Sequence, residues 1–290
     1  MSQQVINKLC IIGVGLIGGS LARALKKRDA VGEIVGAGRD IAHLEKAKNL
    51  GVIDRFETDI TLAVKGCDMV VVAVPLGAMQ TIFEKISAVI TDDMVITDVG
   101  SAKGSVVKAA QSAFKTLPKT LVPAHPIAGT EKSGVEASFA ELYENRRIIL
   151  TPLEGSSDHA VSKVKAMWQT CGADVVETTI EHHDEVLAAT SHLPHMLAFS
   201  LVDTLAKMDA KKEIFEFAAG GFRDFTRIAS SDPDMWRDIC SANGDALVAM
   251  IEKFSDDLHQ LSKAIEKNDS VYLKDVFSRA KKARDEYCDN

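Results

Sequence analysis

The sequence contains no Cys-x-x-Cys pair; its five cysteines stand scattered at positions 10, 67, 171, 240 and 288. An odd, dispersed set argues against a disulfide framework and against a zinc site, and it fits a reducing cytoplasm. Long basic runs are missing as well, and the net charge of −7 is opposite in sign to the footprint of a nucleic-acid binder. A small-molecule ligand is therefore the expected partner. No apolar stretch approaches the ~20 residues that cross a bilayer. The polar start MSQQVINK is followed only by the short run LCII, so neither a signal peptide nor a membrane anchor is expected, and the chain is placed in the cytoplasm. Internal repeats, low-complexity tracts and Pro/Gly/Ser linkers are also lacking.

What is present is a recurring set of short apolar runs: LCIIGV (9–14), EIVGA (33–37), DMVVVAV (68–74), MVITDV (94–99), TLVPA (120–124), RIILT (147–151) and ADVVE (173–177). Continuous apolar runs of this length mark strands buried on both faces, as in parallel sheets. Helical patterns over 16–28, 41–50, 78–90, 104–115 and 158–171 lie between several of them. The alternation predicts an α/β doubly wound sheet of the Rossmann type over residues 1–180. Beyond about residue 180 the strand-like runs stop. Apolar spacings of three and four over 182–208, 235–268 and 270–287 predict an all-helical second domain, residues 181–290. Clefts at such junctions favour ligands.

CIIGVGLIGGSLARAL (10–25) sets Gly13, Gly15 and Gly18 at G-x-G-x-x-G spacing, with Leu16 and Ile17 between the last two, after the first strand and at the start of a helix. The first glycine permits a tight turn, the second lets the backbone approach a pyrophosphate, and the third allows close helix–strand packing. At the first strand of an alternating domain this pattern predicts dinucleotide binding. The second strand ends in GAGRD (36–40), where NAD enzymes carry a carboxylate for the ribose hydroxyls. Gly38 occupies that place and Arg39 follows it, which favours NADP over NAD. The competing reading makes Asp40 the ribose acid and Arg39 a solvated charge.

VITDVGSAKG (95–104) is expected to bring Ser101 and Lys103 to the cofactor edge; the structural alternative for Ser101 is a cap on the helix that follows. PAHPIAGTEKSG (123–134) ends a strand at His125, and a neutral imidazole there can accept a hydroxyl proton while the neighbouring carbon loses hydride. His192 and His195, three apart, share one helical face if Pro194 kinks the helix or sits in its first turn. His182 and His183 add two more imidazoles, but adjacent side chains diverge on a helix and no zincin spacing is present, so no metal is expected. Arg223, Arg227 and Arg237 lie in or beside GGFRDFTRIASSDPDMW (220–236). A guanidinium is the best fork for a substrate carboxylate, and Arg227 is the candidate; pairing with an aspartate such as Asp224 or Asp232 is the alternative.

Together GVGLIGGSLA, VAVP, TDVGSAKG, HPIAGTEKSG, HHDEVLAATSHLPH and GGFRDFTRIASSDPDMWRDI resemble the prephenate dehydrogenase family, which includes arogenate and cyclohexadienyl dehydrogenases. The resemblance runs over nearly the whole chain in order. It implies oxidative decarboxylation of a cyclohexadienol in tyrosine biosynthesis, with His125 on the C4 hydroxyl, Ser101 supporting it and Arg227 on the ring carboxylate. It also implies substrate contacts from His195 or His192, from Thr130 and Glu131, and from backbone at Gly220 and Gly221. Pro75 of VAVP falls to the cofactor, and the helical domain is expected to form a homodimer. The chain ends near residue 290, so a regulatory or chorismate mutase domain is not expected. Glu131 suits the ammonium of arogenate, yet the whole loop looks like that of prephenate users, so prephenate is favoured. The alternatives are an arogenate-specific NADP enzyme, a 3-hydroxyacid dehydrogenase or imine reductase, and a non-catalytic NADP sensor.

Overall fold

The computed structural model describes residues 5–130 and 132–287. Met1–Gly244 and Asp245–Asn290 form two compact units. In the first, strands and helices alternate as β1 (Ile6–Ile12), α1 (Leu16–Lys27), β2 (Val31–Ala37), α2 (Ile41–Asn49), β3 (Arg55–Glu57), α3 (Ile60–Val64), β4 (Met69–Val72), α4 (Met79–Ile86), β5 (Val95–Asp98), α5 (Lys103–Ala113) and β6 (Leu121–Val122). The six strands form one parallel sheet in the order β3-β2-β1-β4-β5-β6. Alternate residues of β1 serve opposite faces. Leu9 and Ile11 join a core with Leu21, Leu25, Tyr143 and Trp168. Cys10 and Ile12 join another with Met79, Phe83 and Ile86. Burial on both faces explains why the runs read as continuously apolar.

The strand order reverses between β1 and β4, and the crevice outside their C-terminal ends is where open α/β sheets bind ligands. β3 carries no apolar run that would announce it, and the five residues of α3, ITLAV, are too few to show a helical period. The three residues Arg55-Phe56-Glu57 are only half-buried at the sheet edge, where Arg55 pairs with Glu33 and Glu57.

The run TLVPA (120–124) is not one strand. Pro123, which has no N–H for a ladder, divides β6 from β7 (Ala124–Pro126), and β7 leaves the parallel sheet. It pairs antiparallel with β8 (Arg147–Leu150), which runs parallel to β9 (Asp174–Glu177) after the crossover helix α6 (Asp158–Thr170). His125 thus belongs to a second, three-stranded sheet, opposite Ile149.

The pattern over 182–208 resolves into α7 (Ile180–Leu187), a π turn (Ala188–His192) and α8 (Leu193–Ala206). Pro194 lies in the first turn of α8, directly after the π turn, so its missing N–H falls where the hydrogen-bond ladder already changes spacing. Then come α9 (Lys211–Glu216), α10 (Gly220–Thr226) and α11 (Pro233–Ala242). The stretch 235–268 is interrupted at Asn243, so α11 and α12 (Gly244–Glu266) are separate helices; α13 (Ser270–Tyr287) follows. The second unit holds α13 and most of α12.

Lys103 and Asp98 hold the region below the crevice together. Both side chains are wholly buried, with Nζ 2.5 Å from Asp98 Oδ2. The same ammonium donates to the Ala124 carbonyl at 2.5 Å, and Asp98 accepts from the amides of Gly100 at 2.7 Å and Ala124 at 3.2 Å. One ion pair therefore fixes β5, the turn after it, α5 and β7. Removing one partner leaves an uncompensated buried charge, so Lys103→Met is expected to lose about 3–5 kcal/mol of unfolding free energy. Urea denaturation checks this, and the double variant Lys103→Met with Asp98→Asn is expected to lose less.

Candidate active site

The glycine-rich turn after β1 has the geometry of a phosphate cradle. Gly13 adopts φ 96°, and a Cβ there would meet the Ala73 carbonyl oxygen at 2.3 Å. A Cβ at Gly18 would meet the Gly13 carbonyl oxygen at 2.3 Å, so the turn closes only with hydrogen at both places. At Gly15, by contrast, nothing lies within 4 Å. The first turn of α1 has neither a side-chain cap nor an acidic residue. Its free amides and dipole therefore face open space beside Gly15, as an anionic dinucleotide phosphate requires. Leu16 and Ile17 are half-buried against the core; the Tyr143 hydroxyl donates to the Ile17 carbonyl at 2.6 Å. Pro75 follows β4 across the crevice and is exposed.

At the end of β2 Gly38 is half-buried, and a Cβ there would meet only the Leu44 side chain, at 3.6 Å. Arg39 is exposed. Asp40 is the N-cap of α2, its Oδ1 accepting from the His43 amide at 3.2 Å. His43 Nε2 donates to the Val14 carbonyl at 2.8 Å and ties α2 to the glycine-rich turn. Sequence reasoning missed this contact, because nothing in the spacing of His43 links it to residue 14.

His125 is 8% exposed. Its Nδ1 lies 2.9 Å from His183 Nε2, and His183 Nδ1 lies 2.7 Å from Asp184 Oδ1. The rings of His125 and His183 meet edge to face at 62°, centroids 5.1 Å apart. Burial pushes the His125 imidazole well below its ordinary pKa, the charge of Lys103 pushes the same way, and protonation of His183 or His192 would add to it. Burial alone would raise the Asp184 carboxyl, but hydrogen bonds from His183 and from the amides of Gly104 and Lys103 outweigh it and hold the pKa low. Both backbone bonds are 2.8 Å long.

Those two bonds exclude the structural alternative for Ser101. The cap of α5 comes from Asp184 and not from Ser101, because the carboxylate of α7 reaches both exposed amides while the N-cap position itself is Ala102. Ser101 lies half-buried in the turn beside Gly100. Lys103 is also displaced from its expected place at the cofactor edge: the negative charge of Asp98 draws it into the interior.

The helices bring His192, His195 and Trp236 together. His195 stacks on Trp236 with centroids 3.8 Å apart, and His192 approaches the same indole edge-on at 6.1 Å. The Asn243 side-chain amide donates to the Asp184 carbonyl at 2.8 Å and to His192 Nδ1 at 3.2 Å. With Nδ1 accepting, neutral His192 carries its proton on Nε2. That atom and Trp236 Nε1 are buried donors without a protein partner among the described residues, which is what a polar ligand needs. Burial lowers the His192 pKa to about 4. His195 is lowered by burial and by the nearby charge of Arg227, against a hydrogen bond to the Ser191 carbonyl.

Arg227 is exposed at the end of α10 and close enough to act on His195. Arg237 instead pairs with Asp234 and Asp238. Gly220 opens α10 and is exposed, and Gly221 follows it. Thr130 is exposed and turned onto the backbone of Lys132. Glu131 lies outside the described residues. His125, His192, His195 and Arg227 thus form one linked group, whereas the Thr130 hydroxyl bonds only within its own loop among the described residues. His183, Asp184, Asn243 and Trp236 were not foreseen as site residues. A signal for His183 existed, since it stands four before Leu187 and both are buried on one face of α7.

Residues 21–177 match the family model "Prephenate dehydrogenase, nucleotide-binding domain", and residues 179–279 match "Prephenate dehydrogenase, dimerization domain". The chain is 38% identical to the cyclohexadienyl dehydrogenase of Zymomonas mobilis over 285 residues, covering 97% of this chain and 96% of that one. It is 36% identical to the prephenate dehydrogenase of Bacillus subtilis, with 97% and 76% covered. Among solved structures, the prephenate dehydrogenase of Aquifex aeolicus in complex with hydroxyphenyl propionate and NAD+ superimposes with a TM-score of 0.90 at 38% identity, covering 97% of this chain and 98% of that one. A glycine cradle at the first strand, a buried histidine on the second sheet and two consecutive family matches describe one kind of enzyme: the chain belongs to the prephenate dehydrogenase family.

Proposed function

We propose that the protein oxidatively decarboxylates prephenate to 4-hydroxyphenylpyruvate, with His125 as the base and NADP as the hydride acceptor. The observation that carries this reading is His125: buried, depressed in pKa and beside the crevice of a nucleotide-binding sheet. The bound nicotinamide supplies the acceptor for the hydride from C4. His125 takes the proton of the C4 hydroxyl as the carbonyl forms, Ser101 supports that oxygen, and Arg227 holds the ring carboxylate. The carboxylate then leaves as CO2, and its bonding pair aromatises the ring. His125 returns the proton to the resulting phenolate oxygen, so no net proton is consumed. His192, His195, Thr130 and the backbone at Gly220 line the rest of the substrate site.

The pyrophosphate would rest on Gly13, Gly15, Leu16, Ile17 and Gly18, with Pro75 and Ser101 toward the nicotinamide end. NADP is supported by Gly38, which offers no carboxylate, by the exposed guanidinium of Arg39, and by the use of Asp40 as a helix cap. NAD is the second reading, favoured by the NAD+ in the Aquifex aeolicus complex. Prephenate and arogenate each offered with NADP and NAD decide both choices. The expected result is a lower KM for NADP than for NAD and faster turnover of prephenate.

The working division is a dinucleotide-binding region over 1–180 and a substrate and dimer region over 181–290, supported by the change of family model between 177 and 179. The homodimer is supported further by Val248, Ile251, Leu258, Ile265, Val271 and Phe277, all exposed apolar side chains of α12 and α13. Among the described residues no helix is long and apolar enough to cross a membrane.

His125→Asn is expected to lower kcat by about two to four orders of magnitude while cofactor affinity stays within a factor of about two, as for loss of a general base. Its depressed pKa means that the free base predominates already at pH 6.5, so kcat/KM is expected to hold its plateau below that pH before falling. A pH–rate profile of the free enzyme reads this directly. Arg227→Ala removes a charge-assisted contact to the ring carboxylate and is expected to raise KM for prephenate roughly tenfold or more, with a smaller effect on kcat.

A further inference from the structure

Asp184 fixes more than the start of α5. A carboxylate held in its ionised form only accepts hydrogen bonds. Its Oδ1 lies 2.7 Å from His183 Nδ1, so the proton of neutral His183 sits on Nδ1 and Nε2 presents a lone pair. That lone pair lies 2.9 Å from His125 Nδ1. His125 must donate there, which places its own proton on Nδ1 and leaves Nε2 bare. His125 Nε2 makes no hydrogen bond among the described residues, and the ring retains its 8% exposure. The other tautomer would set two lone pairs against each other across the contact and would occupy Nε2 with a proton.

We propose that His183, backed by Asp184, is a positioning residue that selects the Nδ1–H tautomer of His125 and so makes Nε2 the base. The inference rests on the reading of His125 as the base for the C4 hydroxyl. When Nε2 takes that proton, the imidazolium keeps its Nδ1–H on His183 Nε2, and the chain of donors ends on the charge of Asp184. The proton goes back to the phenolate oxygen by the same nitrogen, and His183 and Asp184 end as they began. A third residue that orients a catalytic imidazole and stabilises its charged form follows the logic of hydrolytic triads. Here a second imidazole stands between the base and the carboxylate. His183 is 1% exposed and does not compete with substrate for the crevice.

The test uses the full chain, selectively 15N-labelled at histidine, with and without His183→Phe and His183→Gln. Long-range 15N–1H correlation spectra report which nitrogen of His125 carries the proton, without any substrate. The wild type is expected to show His125 protonated at Nδ1, and a resting proton at Nε2 overturns the proposal. In steady-state assays His183→Phe, which keeps the ring but deletes the acceptor, is expected to lower kcat roughly 100-fold, with KM and cofactor Kd within about threefold. His183→Gln restores an oxygen acceptor toward His125 and a donor toward Asp184, and is expected to return kcat to within about tenfold of wild type. Wild-type kcat in His183→Phe overturns the proposal, as does equal loss in both variants. If the wild type turns over no cyclohexadienol, the functional reading fails, while the tautomer spectrum still decides the role of His183.

Discussion

The buried ion pair of Lys103 and Asp98 is the constraint on which the site depends. The burial that depresses the lysine also prevents water from relaxing the pair, so its geometry is set by the protein alone. Through the Ala124 carbonyl and amide it anchors the residue immediately before His125. Through Gly100 it shapes the turn that presents Ser101. His125 on the second sheet and Ser101 in the turn after β5 are thus tied to one charge pair, whose lysine also pushes the His125 imidazole down. Isolated buried ion pairs are often no better than apolar substitutes for stability; this one earns its place as a junction.

The sequence made the nucleotide region legible because its signals are local. Gly13, Gly15 and Gly18 answer to a single tight turn, and apolar runs buried on both faces can be read without knowing their neighbours. Observed strands and helices there depart from the expected ranges by a few residues at their ends. His125 was legible for the same reason, standing at the end of an apolar run before a glycine-rich loop. Its separate sheet was not, because the division at Pro123 becomes a change of sheet only once β8 offers a partner far along the chain.

Long-range pairings account for the remaining differences. Lys103 reads as a polar residue near a cofactor until the position of Asp98 is known. For Ser101 the alternative of a helix cap stays open until Asp184 takes the amides of Lys103 and Gly104. The dipeptide His182-His183 suggests two diverging imidazoles, and so it proves: His182 is exposed and His183 turns inward to His125. Asn243 was hidden in what reads as an unbroken helix, yet its amide joins Asp184 to His192 at the very point where that helix ends.

The π turn over Ala188–His192 has a bearing on how this segment can change during evolution. Upstream of it α7 aims His183 at His125; downstream, His192 and His195 address Trp236. Side chains advance by about 100° and 1.5 Å per residue along an α-helix. The π turn holds one more residue than an α-helix needs for about the same rotation, so relaxing it to α geometry at unchanged length would swing the downstream pair around the helix axis by about a quarter turn. Losing one residue together with the wide turn would instead leave the two histidine groups nearly in phase. The segment should therefore vary in one coordinated way, a single-residue gap between the two histidine groups wherever the wide turn is replaced by a regular helix.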